Sequence, residues 1–145
     1  MKQNVTLTIA SLLSILFMSF HHADDVVRGM APGNFSNLIP VFFLLVWLYG
    51  TLALAGRRSG YAIILVASLL ASGIPVVHMR GSGLVGGKIN ARGDFGEFFF
   101  VWTLVAAGVT SLFCVTLSAH GLWGLRRGQS RPVHQPEPGE APRTA

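Results

Sequence analysis

The chain has 145 residues, of which 51% are hydrophobic and only 12% are charged, and its mean hydropathy is +0.54. A soluble domain carries about 25% charged residues, so this composition excludes an ordinary soluble globular protein. The formal net charge is +5, but basic and aromatic residues do not alternate within one stretch, so no nucleic-acid partner is expected.

Four apolar segments follow one another along the chain, and each predicts a transmembrane helix. A membrane span needs about 20 mostly apolar residues, and in lipid the backbone must hydrogen-bond within its own segment. The predicted helices cover approximately residues 5–22, 38–56, 61–79 and 98–125. The sequence therefore predicts an all-α polytopic protein, a four-helix transmembrane bundle that residues 1–128 form in a lipid bilayer.

The first segment also has features of a signal peptide, since Lys2 precedes a short apolar core. Cleavage of a signal peptide requires small residues at two positions before the cut. The next alanine downstream is Ala23, and the residue two positions before it is the bulky His21. We therefore expect the first helix to be retained.

The second and fourth segments are weakly alike. The stretch VFFLLVWLYGTLALAGRR (41–58) is echoed by EFFFVWTLVAAGVTSLF (97–113) and by the later GLRRG (124–128). Two parallel helical hairpins, a form known in small transporters, would produce such an echo. Apolar helices also share a small set of residue types, and this second explanation is favoured.

Small residues in the third and fourth segments predict close helix packing. Ser68 and Ser72 have the small-xxx-small spacing, and so do Ala106 and Thr110. This spacing allows the backbones of two membrane helices to approach each other.

Arginine pairs indicate the orientation of the bundle. Arg57 and Arg58 follow the second segment, and Arg126 and Arg127 follow the fourth. Because short cytoplasmic loops are enriched in Lys and Arg, we predict that these pairs and both termini are cytoplasmic. Residues 129–145 are rich in proline and poor in large apolar residues, so a disordered cytoplasmic tail is expected.

The residues best suited to bind a metal ion or a cofactor lie at the ends of the first and third predicted helices. By this topology SFHHADDVVRG (19–29) and VHMRG (77–81) both lie at the outer side. A metal site there would use six side chains: His21, His22, Asp25, His78, Met18 and Met79. Thioethers beside imidazoles favour copper, and histidine with carboxylate favours zinc or iron.

Two other interpretations of the same residues stay open. His22 and His78 alone are suited to bind a b-type haem as its two axial ligands. Alternatively, an Asp24–Arg28 ion pair and interfacial water explain the stretch without any ligand. The ligand-free interpretation is favoured, because polar side chains are normally found at the membrane interface.

The resemblance of the chain to other proteins is one of pattern. SFHHADDVVRGMAPGNFSNL, VWLYGTLALAGRRSGY and FFFVWTLVAAGVTSLF together resemble uncharacterised small four-helix bacterial integral membrane proteins. The resemblance spans most of residues 1–128. It implies a multi-pass protein of the bacterial inner membrane, and it brings no catalytic residues.

The functional expectation is a non-enzymatic accessory or structural subunit of a larger membrane complex. No Ser/His/Asp arrangement or carboxylate pair within the apolar segments indicates an enzyme, and the short loops leave little room for one. The partners would be other membrane proteins or further copies of the chain. The alternatives are a metal- or haem-binding protein with the outer site, and an oligomeric transporter of a small solute with a cavity near Pro75.

Overall fold

The computed structural model describes residues 2–27, 34–80 and 95–129, with side chains described for 4–27, 34–35, 37–76 and 98–127. Within these ranges the chain is helical and contains no strand. The helices are α1 (Lys2–Val27), α2 (Leu38–Leu52), α3 (Arg58–Arg80) and α4 (Phe95–Gln129), and a 3-10 turn at Phe35–Asn37 precedes α2. The predicted all-α fold with four helices is confirmed.

The first two helices run in opposite directions. His22, near the end of α1, contacts Asn37 at the start of α2, and Ser11 contacts Thr51 near the end of α2. The two helices therefore form an antiparallel hairpin. Most of the outward face of this hairpin is apolar.

The second hairpin, α3 and α4, runs in the same direction as the first. Tyr61 at the start of α3 donates its hydroxyl hydrogen to Asn4 Oδ1 at the start of α1. Gly121 near the end of α4 lies against the Tyr61 ring, and Phe100 near the start of α4 packs on His21. Each helix thus contacts its neighbours in sequence, α4 returns to α1, and the four helices form a ring.

Three of the helices are long and apolar enough to cross a membrane. Their apolar stretches are Asn4–Val27, Arg58–Val76 and Phe98–Arg127, with 24, 19 and 30 residues. Helix α2 has only 15 residues. With the 3-10 turn before it, however, it runs between the level of His22 and that of the first turns of α1.

The predicted second segment, residues 38–56, is longer than the helix that forms. Helix α2 ends at Leu52, and the chain turns through residues 53–56, with Gly56 at a positive φ of 76°. The turn is tight because α3 starts at Arg58: a Cβ added at Gly60 would lie 2.1 Å from the Leu54 carbonyl oxygen. The sequence LALAG (52–56) gives no sign of this turn, because it contains no polar residue.

Small buried side chains line the contacts between α1, α3 and α4 in the described part of the chain. The predicted small-xxx-small pairs identify this face only in part, because Ser72, Ala106 and Thr110 are only half-buried. The buried small residues on α3 and α4 include Ala67, Ser68, Ala71, Ala107 and Ser111. On α4 the buried face is shifted by one residue, which is about 100° of rotation around the helix.

Close backbone approach also requires glycine at two positions of α4. A Cβ added at Gly121 would lie 2.3 Å from Tyr61 Cε1, and one added at Gly108 would lie 2.8 Å from Pro75 Cγ. Helices in membranes associate largely through such close packing. Both halves of the α3–α4 contact therefore depend on a glycine.

Candidate functional site

The two adjacent histidines at the end of α1 point to different neighbours. Consecutive helical residues are about 100° apart around the axis. His21 is only 2% exposed, and its ring centroid lies 5.0 Å from that of Phe100 on α4. Its Nε2 lies 3.7 Å from Oδ2 of Asp25, one helical turn further along. His21 and Asp25 thus form a pair on the α4 side of α1.

His22 faces α2 instead. Its Nε2 lies 3.2 Å from the carbonyl oxygen of Asn37. A carbonyl oxygen can only accept, so Nε2 carries the hydrogen and donates it. In the neutral ring, Nδ1 is then the nitrogen with a free lone pair, which makes it a hydrogen-bond acceptor.

The predicted metal ligands that the structure describes do not converge on one point. Met18 lines the same cavity as His22, whereas His21 packs on Phe100 of α4 and pairs with Asp25. Among the side chains described, no three His, Cys, Asp or Glu residues are grouped so that they could hold one ion.

The remaining predicted ligands lie at the end of α3. His78 and Met79 belong to the last turn of α3, and their side chains lie outside the described part of the chain, as does Arg28. The copper or zinc set and the His22–His78 haem pair therefore stay predictions, as does the Asp24–Arg28 pair.

A cavity of about 340 Å³ lies between α1, α2 and α3. Its lining residues are Met18, His22, Ile39, Pro40, Phe43, Leu44, Leu70, Ala71 and Ile74. Met18 and Ala71 are buried and form its inner wall, while Ile39 and Leu70 are 69% and 60% exposed and form its mouth. His22 is the one lining residue with a polar side chain.

Two further cavities flank α2. One of about 380 Å³ lies between α1 and α2 and shares His22 and Leu44 with the first. Another of about 300 Å³ lies between α2 and α3, next to Trp47 and Ala62. Helix α2 is thus less closely packed against its neighbours than α4 is against α1 and α3.

A buried hydrogen-bond network attaches the second half of α2 to α1. Thr51 Oγ1 donates to the Trp47 carbonyl oxygen over 2.9 Å, so its single hydrogen is used. Ser11 must then donate to Thr51 Oγ1, at 2.7 Å, and it accepts from Trp47 Nε1, at 2.8 Å. All three side chains are at most 1% exposed.

The predicted topology arginines lie at one end of the bundle. Arg57 and Arg58 adjoin Tyr61, which contacts both Asn4 and the Gly121 region of α4. Arg126 and Arg127 form the last basic pair of α4, and the Arg127 guanidinium carbon lies 3.9 Å from the centre of the Trp123 ring. A cation stacked on an exposed aromatic ring is typical of a membrane interface.

Sequence reasoning missed the cavities and the Trp47 network. Serine and threonine at Ser11 and Thr51 gave a weak signal, because buried hydroxyls in membrane helices commonly pair across helices. Nothing in the sequence shows which helix each would meet. Comparison of the chain with family models, curated proteins and solved structures gives no match, so the resemblance to small bacterial membrane proteins stays a prediction.

Proposed function

We propose that the protein is a non-enzymatic subunit of a larger membrane assembly and that α2 carries its contact surface. The observation behind this proposal is the contrast between α2 and the rest of the bundle. Among the described residues, buried small side chains line the contacts between α1, α3 and α4, whereas α2 is flanked by cavities and has a large exposed apolar face.

Buried side chains in the described interior favour a structural role over conduction along the bundle axis. Trp47 enters the interior from α2 and is 0% exposed, and Cys114 of α4 is also 0% exposed. The stretches 5–20, 38–56, 59–77 and 98–119 contain no Asp, Glu, Lys, Arg or His. Transporters of ions or protons usually have such residues at membrane depth.

The outward face of α2 exposes the large apolar side chains expected of a surface that contacts another helix. Of its 15 residues, only Trp47, Gly50 and Thr51 are buried. The large side chains exposed on α2 are Leu38, Ile39, Val41, Phe42, Leu45, Val46, Tyr49 and Leu52. Since lipid is as apolar as leucine, helices associate in membranes mainly by close packing, and the exposed side chains on the outward face of α2 would pack against a partner helix.

Photocrosslinking at matched positions tests this proposal. Benzoylphenylalanine at Phe42 or Leu45 probes the α2 face, and the same amino acid at Val109 or Leu112 probes the outward face of α4. We expect discrete protein adducts from the α2 positions and only lipid adducts from the α4 positions. Native mass spectrometry in mild detergent should then give a particle heavier than the 15.6 kDa chain.

Two results would contradict the proposal. One is a monomer as the sole species in native mass spectra. The other is a set of protein adducts that form equally from α2 and α4, because such adducts would indicate random collisions in the membrane.

We also propose that the end with the four arginines is cytoplasmic and that the membrane is a bacterial inner membrane. The arginine pairs and the Arg127–Trp123 contact support the first part. The pattern resemblance supports the second.

A further inference from the structure

We propose that the cavity between α1, α2 and α3 binds an uncharged, apolar molecule that carries one hydroxyl group. The hydroxyl would donate its hydrogen to His22 Nδ1. This inference does not rest on the proposed function, because the cavity lies between α2 and the bundle, whereas the partner surface lies on the outward face of α2.

The chemistry of the lining limits the ligand to neutral molecules. The cavity has one polar side chain, His22, among eight apolar residues. A charged ligand would lose its hydration without gaining an opposite charge from this lining, and burial of an unpaired charge is strongly unfavourable. An apolar molecule can fill the same space without that loss.

The hydrogen bond of His22 selects a ligand that can donate a hydrogen, such as one with a hydroxyl group. Nε2 already donates to the Asn37 carbonyl oxygen, over 3.2 Å. The neutral imidazole therefore offers a lone pair at Nδ1 and no second hydrogen. An alcohol or a phenol can donate to this nitrogen, whereas an ether, an ester or a ketone cannot.

The position and size of the cavity indicate how the ligand enters. The exposed side chains Ile39 and Leu70 place the mouth on the apolar side surface, between α2 and α3. The ligand would therefore come from within the bilayer. At about 340 Å³, the cavity is near the lower end of the range of about 300–1,000 Å³ for small-molecule sites, which suits a medium-chain alcohol better than a two-chain phospholipid.

Photolabelling of the full chain in phosphatidylcholine vesicles tests the proposal. The probes are an octanol that carries a diazirine and its methyl ether, which has the same chain and no donor. We expect the alcohol to form adducts at Met18 and Ile74, which line this cavity and neither of the two flanking ones. The yield should be about two- to tenfold higher than with the ether, which is the effect of one hydrogen bond. Unlabelled octanol should compete.

Three variants locate the effect. His22→Leu removes the acceptor together with the bond to Asn37; unchanged labelling by the ether would show that the cavity persists, and alcohol labelling should fall to the level of the ether. Ile39→Trp fills the mouth, and because Ile39 is 69% exposed the fold should tolerate it; labelling by both probes should be lost. Ala62→Trp changes only the separate cavity beside α2 and should leave labelling unchanged.

Equal labelling of the wild-type cavity by the alcohol and the ether would overturn the hydroxyl preference. Cavity adducts that persist in Ile39→Trp, or no cavity adducts above the phospholipid background, would overturn the site itself. These results are independent of the crosslinking from the outward face of α2, so either proposal can fail alone.

Discussion

Ser11 is the centre of the network between α1 and α2, because it accepts from Trp47 and donates to Thr51. Ser11→Ala leaves the buried indole N–H without its acceptor. We expect the free energy of unfolding to fall by about 1–2 kcal/mol, measured by reversible denaturation with dodecyl sulfate in mild detergent. Ser72→Ala is the control, since that hydroxyl bonds to the Leu69 carbonyl oxygen of its own helix. Equal losses in both variants would argue against the network.

Two glycines of α4 form a matched pair of test positions. A Cβ at Gly121 would lie 2.3 Å from the Tyr61 ring, whereas one at Gly124 would meet nothing within 4 Å. Gly121→Ala should destabilise the protein by about 1–3 kcal/mol through overpacking. Gly124→Ala should be neutral or stabilise it by up to about 1 kcal/mol, because alanine favours the helix. The same denaturation experiment measures both, and a reversed order would mean that α3 and α4 do not meet at Tyr61.

The histidine pair shows how far single residues can be assigned from sequence. The spacing predicts that His21 and Asp25 share a face, and they do. The sequence does not show that His21 packs on Phe100 while His22 contacts Asn37. That division depends on the rotation of α1 in the bundle, which contacts between residues far apart in sequence determine.

At the scale of the helices, α2 differs from the others in how it is held. Its fixed points are the Trp47 network and the His22–Asn37 hydrogen bond, and cavities lie between them. Loosely packed elements open locally more often than closely packed ones. We therefore expect the amides of residues 38–52 to exchange hydrogen faster than those in the middle of α4.

A matched pair of tryptophan variants tests this explanation. Trp47→Ala should accelerate exchange in residues 38–52 and leave the middle of α4 protected. Trp102→Ala removes an exposed side chain, 56% accessible, and should not change exchange in α2. Mass spectrometry of the exchanged peptides gives the comparison, and acceleration spread evenly over the bundle would show that α2 is not a separate unit.

The bounds of α2 show what an apolar pattern leaves undetermined. Composition and segment length are enough to predict four helices, because lipid excludes the other backbone structures. They do not predict that the helix ends at Leu52, since Leu54 and Ala55 continue the apolar run. The end is set by the close approach of Gly60 to the Leu54 carbonyl, which is a tertiary contact.

At the scale of the whole molecule, orientation in the membrane is directly testable. Ala23 lies near one end of the bundle and Ser59 near the other, and both are exposed. With cysteine at either position, we expect a membrane-impermeant maleimide added to spheroplasts to label Ala23→Cys and not Ser59→Cys. The wild-type chain is the control, because its single cysteine, Cys114, is 0% exposed. Labelling of both variants from the same side would rule out this orientation.

The cavities beside α2 depend on the packing of the whole molecule and could not be predicted from the sequence. The number of helices follows from the order of apolar and polar residues along the chain. The presence of a cavity depends instead on whether side chains from three helices fit together. Met18, Phe43 and Ala71 are far apart in sequence and line the same cavity. A cavity was predicted near Pro75, in the part of α3 that lines this cavity. Pro75 itself, however, packs against Gly108 of α4.

The three tryptophans occupy distinct environments, and this gives the protein a built-in optical probe. Trp47 is sealed in the bundle at 0% exposure, whereas Trp102 and Trp123 are 56% and 55% exposed near opposite ends of α4. Brominated acyl chains should quench the emission of Trp102 and Trp123 more strongly than that of Trp47. The unquenched fraction of fluorescence would then report whether the helices are assembled, separately from whether they are inserted in lipid.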